Sequence, residues 1–430
     1  MNLKTRKCHK LKGDLTIPGD KSISHRAIIF ASLAKGYSNL IGLLESEDCL
    51  KTLNAFRLMG VPIERNSKGN YTIKGVGLKG LKEADRVIDC GNSGTSMRLL
   101  TGLLAAQDFY TVLSGDTSLR KRPMDRIIKP LREMKAKIWA RRDNYAPLSI
   151  KGSQLSAINY TLPVASAQVK SALLLAGLYA DGKTILREPG LSRDHTERML
   201  QGFGVNLKKS GLSIELDLQK DRLEGQEIVI PADISSAAFF ITAALIIDDS
   251  ELLLRNVGIN PSRSGFLKVV KDMGGDCQLI NKRVVSGEPV ADIIVKSSKL
   301  TGANISGDLI PTLIDELPII AILASRAEGR TVIKDAAELR VKESDRITNM
   351  ISILSNMGVN VQELTDGMII NGPVELKGGF EVDSSGDHRI AMTVAIAGLL
   401  IDEPILINNS DSIKTSFPEF IDLLNKCSIT

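Results

Sequence analysis

The residues best suited to chemistry gather in the stretch Pro18-Gly-Asp-Lys-Ser-Ile-Ser-His-Arg-Ala27. Lys21 offers a compact ammonium and Arg26 a planar guanidinium fork, with the hydroxyls of Ser22 and Ser24 beside them. The alternating run Leu15 to Ile17 precedes the Pro-Gly pair, and the apolar run Ala27 to Ala34 follows. That order predicts strand, sharp turn and helix. The cations then fall in the first helical turn, where unpaired N–H groups and the helix dipole also favour negative charge. An anion site is expected there. It is not a P-loop, because Asp20 stands between Gly19 and Lys21. The plainer alternative is that Asp20 or Ser22 caps the helix and the cations are solvated.

Similar residues open five further turns. They are Asn92, Gly94, Thr95 and Ser96; Ser166, Gln168 and Lys170; Asp233, Ser235 and Ser236; Asp315 and Glu316; and Asp387, His388 and Arg389. Two denser basic runs stand apart, Leu119-Arg-Lys-Arg-Pro-Met124 and Leu339-Arg-Val-Lys-Glu-Ser-Asp-Arg346. Several helix N-termini facing one interdomain space would attract anions strongly. Carboxylates set among such cations suit a general base, and Asp315 and Glu343 are the best placed. No Ser-His-Asp spacing and no Cys in a basic turn point to a covalent nucleophile. The chemistry indicated is acid–base work, without metal or cofactor, on small, multiply anionic substrates.

The 430 residues carry a net charge of +5, which fits acidic substrates and excludes little. Aromatic residues make up 4%, against a base-stacking surface, so no nucleic-acid partner is expected. Five scattered Cys without CxxC suggest a reducing cytoplasm, and four His without ligand spacing suggest no metal. No N-terminal signal and no bilayer-length apolar run are read, so no membrane role is expected. Gly75-Val-Gly-Leu-Lys-Gly80 matches a dinucleotide fingerprint, but no clean helix leaves its last Gly; a strand-end loop is the better reading.

These residues need positioning elements, and the sequence supplies them by repetition. A turn rich in Gly, Ser, Asn or Asp leads into an apolar, Ala-rich helix, then a β-rich segment, a second helix and another strand. Four of the second helices end in a Met-Gly or Phe-Gly pair, at Met59-Gly60, Phe203-Gly204, Met273-Gly274 and Met357-Gly358. The unit recurs six times at about 70 residues, longer than solenoid periods. The first helix of each unit is apolar on nearly every face and should be buried. Six units divide into two groups of three, with the break near Glu224 to Pro231.

The stretches Pro18 to Ala27, Gly91-Asn-Ser-Gly-Thr-Ser-Met-Arg98, Arg122-Pro-Met124, Arg340 to Arg346 and Gly386-Asp-His-Arg389 closely resemble the enolpyruvyl transferase family, in its shikimate-pathway branch. The resemblance spans essentially the whole chain. It implies an α/β (α+β) fold, a two-domain inside-out α/β barrel in which each domain has three βαβαββ repeats around buried helices. The domains would be residues 20–231, and residues 1–19 with 232–430. The implied reaction joins shikimate 3-phosphate to phosphoenolpyruvate and releases phosphate, with no cofactor, in a monomer. By motif position, Lys21, Ser22 and Arg26 resemble contacts to shikimate 3-phosphate, with Lys21 also touching phosphoenolpyruvate. Gly94, Arg122, Arg346 and Arg389 resemble phosphoenolpyruvate contacts. Ser166 and Gln168 resemble contacts to the shikimate ligand, Gln168 lying near both substrates, and Lys342 lies on the shikimate side. Asp315 matches the residue that deprotonates the 5-hydroxyl, and Glu343 the carboxylate serving C3.

The departures are informative. Ala167 replaces a Ser of some relatives. Ser192-Arg-Asp-His-Thr-Glu197 replaces a Tyr-bearing segment, so Arg193 is expected to supply a phosphate contact. Ser166-Ala-Gln-Val-Lys170, Arg193-x-His-x-Glu197 and Asn260-x-x-Arg263 resemble the glyphosate-insensitive subgroup. Lys414 has one residue too many for a clean match. The related transferase acting on a nucleotide sugar is disfavoured, because residues 117–123 hold no Cys.

Overall fold

The computed structural model describes residues 2–217 and 223–429. The chain packs as two units. The mid-chain unit comprises Gly19–Ile230 with Val285–Glu288; the chain-end unit comprises the residues up to Pro18, Pro231–Val284 and everything from Pro289 on. The attachment of Val285–Glu288 to the mid-chain unit has no signal in the sequence.

In the mid-chain unit three helix pairs follow one another. They are α1 (Lys21–Leu33) with α2 (Glu47–Leu58), α3 (Gly94–Leu104) with α4 (Asp125–Glu133), and α5 (Ala167–Gly177) with α6 (His195–Gly202). Among the described residues, this unit has three four-stranded sheets of matching order. In one, Ile88–Asp89 pairs parallel with Tyr110–Ser114, which runs antiparallel to Tyr145–Lys151, which runs antiparallel to Lys137–Arg141. The sheets built on Lys35–Ile41 and Thr184–Arg187 repeat that pattern.

The chain-end unit holds α7 (Ile234–Ile246) with α8 (Gly265–Asp272), α9 (Leu317–Ser325) with α10 (Arg346–Asn356), and α11 (His388–Ala397) with α12 (Phe420–Cys427). The sheet Asn304–Ile305, Gly329–Ile333, Gly367–Gly372, Asn360–Leu364 follows the mid-chain order.

The first helices of the pairs form the two cores. All 13 residues of α7 and all nine of α9 are buried. A helix apolar on every face has no solvent side, and burying each large aliphatic side chain stabilises by about 1.5–3 kcal/mol. The second helices close through glycine. Gly60, Gly274 and Gly358 each sit at φ 83 and Gly204 at φ 89, left-handed caps that only glycine adopts without strain. After α4 the same place is taken by Lys135 at φ 69.

One glycine matters to the site. A Cβ on Gly102 would lie 2.1 Å from the Ala172 carbonyl oxygen, so α3 and α5 meet backbone to backbone. Their N-terminal turns are thereby brought together.

Candidate active site

In the mid-chain unit, capping comes first. The Asp20 carboxylate accepts from the Ile23 N–H at 2.8 Å, Ser93 Oγ from Ser96 N–H at 3.1 Å, and Ser166 Oγ from Val169 N–H at 3.5 Å. The capping role weighed for Asp20 is therefore present, and the cations stand around it. Lys21 Nζ lies 3.1 Å from Asp48 Oδ2. Arg26 is only 3% exposed; it donates from Nε to Thr196 Oγ1 at 2.6 Å, from Nη1 to the Ser22 carbonyl at 2.9 Å and from Nη2 to Ser171 Oγ at 2.7 Å. Burial, followed by repulsion from nearby Arg193, pushes its guanidinium down to about 10, although Glu197, Asp20 and Glu288 pull the other way.

The close approach of α3 and α5 assembles a second group. Gln168 Nε2 donates to Thr95 Oγ1 at 3.0 Å, while Arg98 Nη1 donates to Gln168 Oε1 at 2.7 Å. Arg122 Nη2 donates to Asn92 Oδ1 at 2.7 Å. Gly94 lies under both arginines: a Cβ there would sit 2.8 Å from Arg98 Nη1 and 3.4 Å from Arg122 Nη1. Hence Gly94, Arg122 and Gln168, far apart in sequence, share one patch. His25 is buried beneath it. Burial, then the charges of Lys21 and Arg26, hold its imidazole down to about 3, so it is neutral. Its Nδ1 lies 2.8 Å from Thr52 Oγ1, which lies 2.6 Å from Ser96 Oγ.

The chain-end unit carries a different cluster. Asp315 closes the turn before α9, and three cations surround it: Lys342 Nζ at 3.6 Å, Arg346 Nη1 at 3.4 Å and Arg389 Nη2 at 3.9 Å. Arg389 Nη1 also donates to the Asp315 carbonyl at 3.0 Å. Arg346 is buried, and donates from Nε to Asp387 Oδ2 at 2.8 Å and from Nη2 to Glu343 Oε2 at 2.5 Å. Burial pushes this guanidinium down, but Asp387, Glu343 and Asp315 together outweigh it and hold the charge firmly. Expected as an anion contact, Arg346 is seen holding three carboxylates. Behind Arg389, Glu316 accepts from Ser235 Oγ, and Ser235 Oγ accepts from Arg263.

The other expectations fall as follows. Ser22 and Arg193 are half-buried near Arg26. Lys414 is exposed, in the short turn Ser410–Thr415. The Gly75–Gly80 segment leaves its strand at Val76 and enters no helix. Burial raises the Cys49 thiol to about 12, unsuited to nucleophilic work. Asp48 and Asp387 were missed as partners; their only signals are acidic residues in a first helical turn and the Gly386-Asp-His-Arg389 motif.

The family model described as EPSP synthase (3-phosphoshikimate 1-carboxyvinyltransferase) matches residues 5–424. The chain belongs to the EPSP synthase family. A 3-phosphoshikimate 1-carboxyvinyltransferase of Brevibacillus brevis is 52% identical over 427 residues, 99% of this chain and 100% of the relative. One from Geobacter sulfurreducens is 52% identical and covers 100% of both. The solved EPSP synthase of Acinetobacter baumannii superposes with a TM-score of 0.90 at 48% identity, over 100% of this chain and 98% of that one. The enolpyruvyl transferase NikO of Streptomyces tendae, at 15% identity, shares the fold with a TM-score of 0.79, over 99% of this chain and 96% of that one. The α/β fold class implied by the resemblance is that of the EPSP synthase family.

Proposed function

We propose that this chain transfers the enolpyruvyl group of phosphoenolpyruvate to the 5-hydroxyl of shikimate 3-phosphate and releases phosphate. The observation that carries the reading is the Asp315 carboxylate, ringed by Lys342, Arg346 and Arg389. In this reading Asp315 takes the proton of the 5-hydroxyl as that oxygen attacks C2 of the enol. Glu343 serves C3, and the tetrahedral ketal loses phosphate. Lys21, Ser22, Arg26, Ser166, Gln168, Arg193 and Lys342 hold shikimate 3-phosphate. Lys21, Gly94, Arg122, Gln168 and Arg389 serve phosphoenolpyruvate. Arg346 is assigned to phosphoenolpyruvate by motif, and its contacts fit it better as the group that fixes Asp315 and Glu343.

Three motifs, Ser166 to Lys170, Arg193 to Glu197 and Asn260 to Arg263, support a narrower part of the reading: tolerance of glyphosate. The enzyme acts as a cytoplasmic monomer without nucleic-acid or membrane partners.

A phosphate-release assay omitting each substrate in turn tests both parts. Release is expected only with both substrates present, and it should persist when glyphosate matches phosphoenolpyruvate in concentration. No release with both present overturns the transfer; potent competitive inhibition overturns the tolerance alone.

A further inference from the structure

Lys170 has no exposed surface, yet it carries a charge that takes no part in the chemistry above. It lies on α5 with its Nζ 2.9 Å from Glu188 Oε2 and 2.7 Å from Glu197 Oε1, both glutamates nearly as buried. Ser192 also donates to Glu188. The neighbours in sequence make a second contact between the same helices: Ser171 Oγ lies 2.6 Å from Thr196 Oγ1, and both hydroxyls accept from Arg26. Lys170-Ser171 on α5 therefore faces Thr196-Glu197 on α6 as two adjacent pairs, one ionic and one hydroxyl. Remove the ammonium and two buried carboxylates confront each other, which forces the start of α6 away from α5. Thr196 then leaves Arg26, and Arg193, three residues earlier, moves with it.

We propose that Lys170 is a positioning residue for the phosphate of shikimate 3-phosphate, acting through Glu197 and Thr196 to aim Arg26 and Arg193. This rests on the functional reading above. The phosphoenolpyruvate patch depends on the start of α3, where Gly94 lies, on Arg122 and Asn92, and on Gln168, which α5 keeps in place through its close packing on α3 at Gly102; the element displaced is α6, so the effect should fall on one substrate.

Steady-state kinetics with each substrate varied in turn tests it, using wild type, Lys170→Met and Glu197→Gln. Lys170→Met should raise KM for shikimate 3-phosphate at least about tenfold, and Glu197→Gln, which weakens the same contact without leaving two carboxylates opposed, should raise it about threefold or more; both should leave KM for phosphoenolpyruvate unchanged to within about twofold. Glu197→Gln keeps Lys170 paired with Glu188, so it reports the same split if Lys170→Met does not fold. Equal changes in both KM values, or lowered thermal stability with both unchanged, overturn the proposal. A wild type that releases no phosphate overturns the functional reading and this inference with it, whereas an active wild type with unaltered variants overturns the inference alone.

Discussion

Arg26 and Arg346 are both buried arginines in the N-terminal part of a helix, one in each unit, and their surroundings are opposite. Arg26 donates to two hydroxyls and a carbonyl, and burial leaves its charge poorly supported, its guanidinium pulled down to about 10. Arg346 donates to the carboxylates of Asp387, Glu343 and Asp315, and its charge is held more firmly than in water. A cation hydrogen-bonded to neutral oxygens, with carboxylates only further off, favours an incoming anion; a cation hydrogen-bonded to carboxylates fixes those carboxylates in place. In the proposed reading, one unit therefore presents a receptor for anions, and the other a braced set of acid–base groups.

The largest effect that can break this contrast is on stability. Arg346→Met leaves three carboxylates facing one another and is expected to cost about 3–5 kcal/mol in denaturant unfolding. Arg26→Met should cost clearly less, since Ser171 and Thr196 can still bond each other, while raising KM for shikimate 3-phosphate about tenfold or more. Equal destabilisation by the two substitutions would erase the distinction.

His25 sharpens it further, because burial, aided by the charges of Lys21 and Arg26, depresses its imidazole from 6.5 to about 3. Between those values the unfolded chain binds the extra proton and the folded chain does not. This part of the stability is therefore full above pH 6.5 and falls by up to about 1.4 kcal/mol per pH unit as pH drops towards 3. Unfolding of wild type and His25→Asn across that range should converge towards acid, with the histidine chain losing more; parallel curves would contradict the assignment.

Much of the framework is legible in the residues themselves. The Ala-rich helices are apolar on all sides, which demands burial, and the Met-Gly closures carry their conformation with them. Lys135 breaks that rule within the repeat, adopting the left-handed backbone without glycine. The site openings are legible because each turn places capping and charged residues directly before an apolar run. Pairing is not. Asp48 lies 27 residues from Lys21, and Asp387 lies 41 from Arg346. Such partners are chosen by which turns the sheets bring together, and no periodicity records it. The same holds for Gly102, whose close packing against Ala172 aligns two N-terminal turns but looks in sequence like any helical glycine.

Asp315→Asn keeps the size of the side chain while removing the charge that three cations surround. Measured with both substrates, alongside a binding titration of shikimate 3-phosphate, it should lose turnover by a factor of about 100 to 10,000 and bind that ligand nearly as well as wild type. Near-normal turnover together with weakened binding would contradict the assignment of Asp315 as the base.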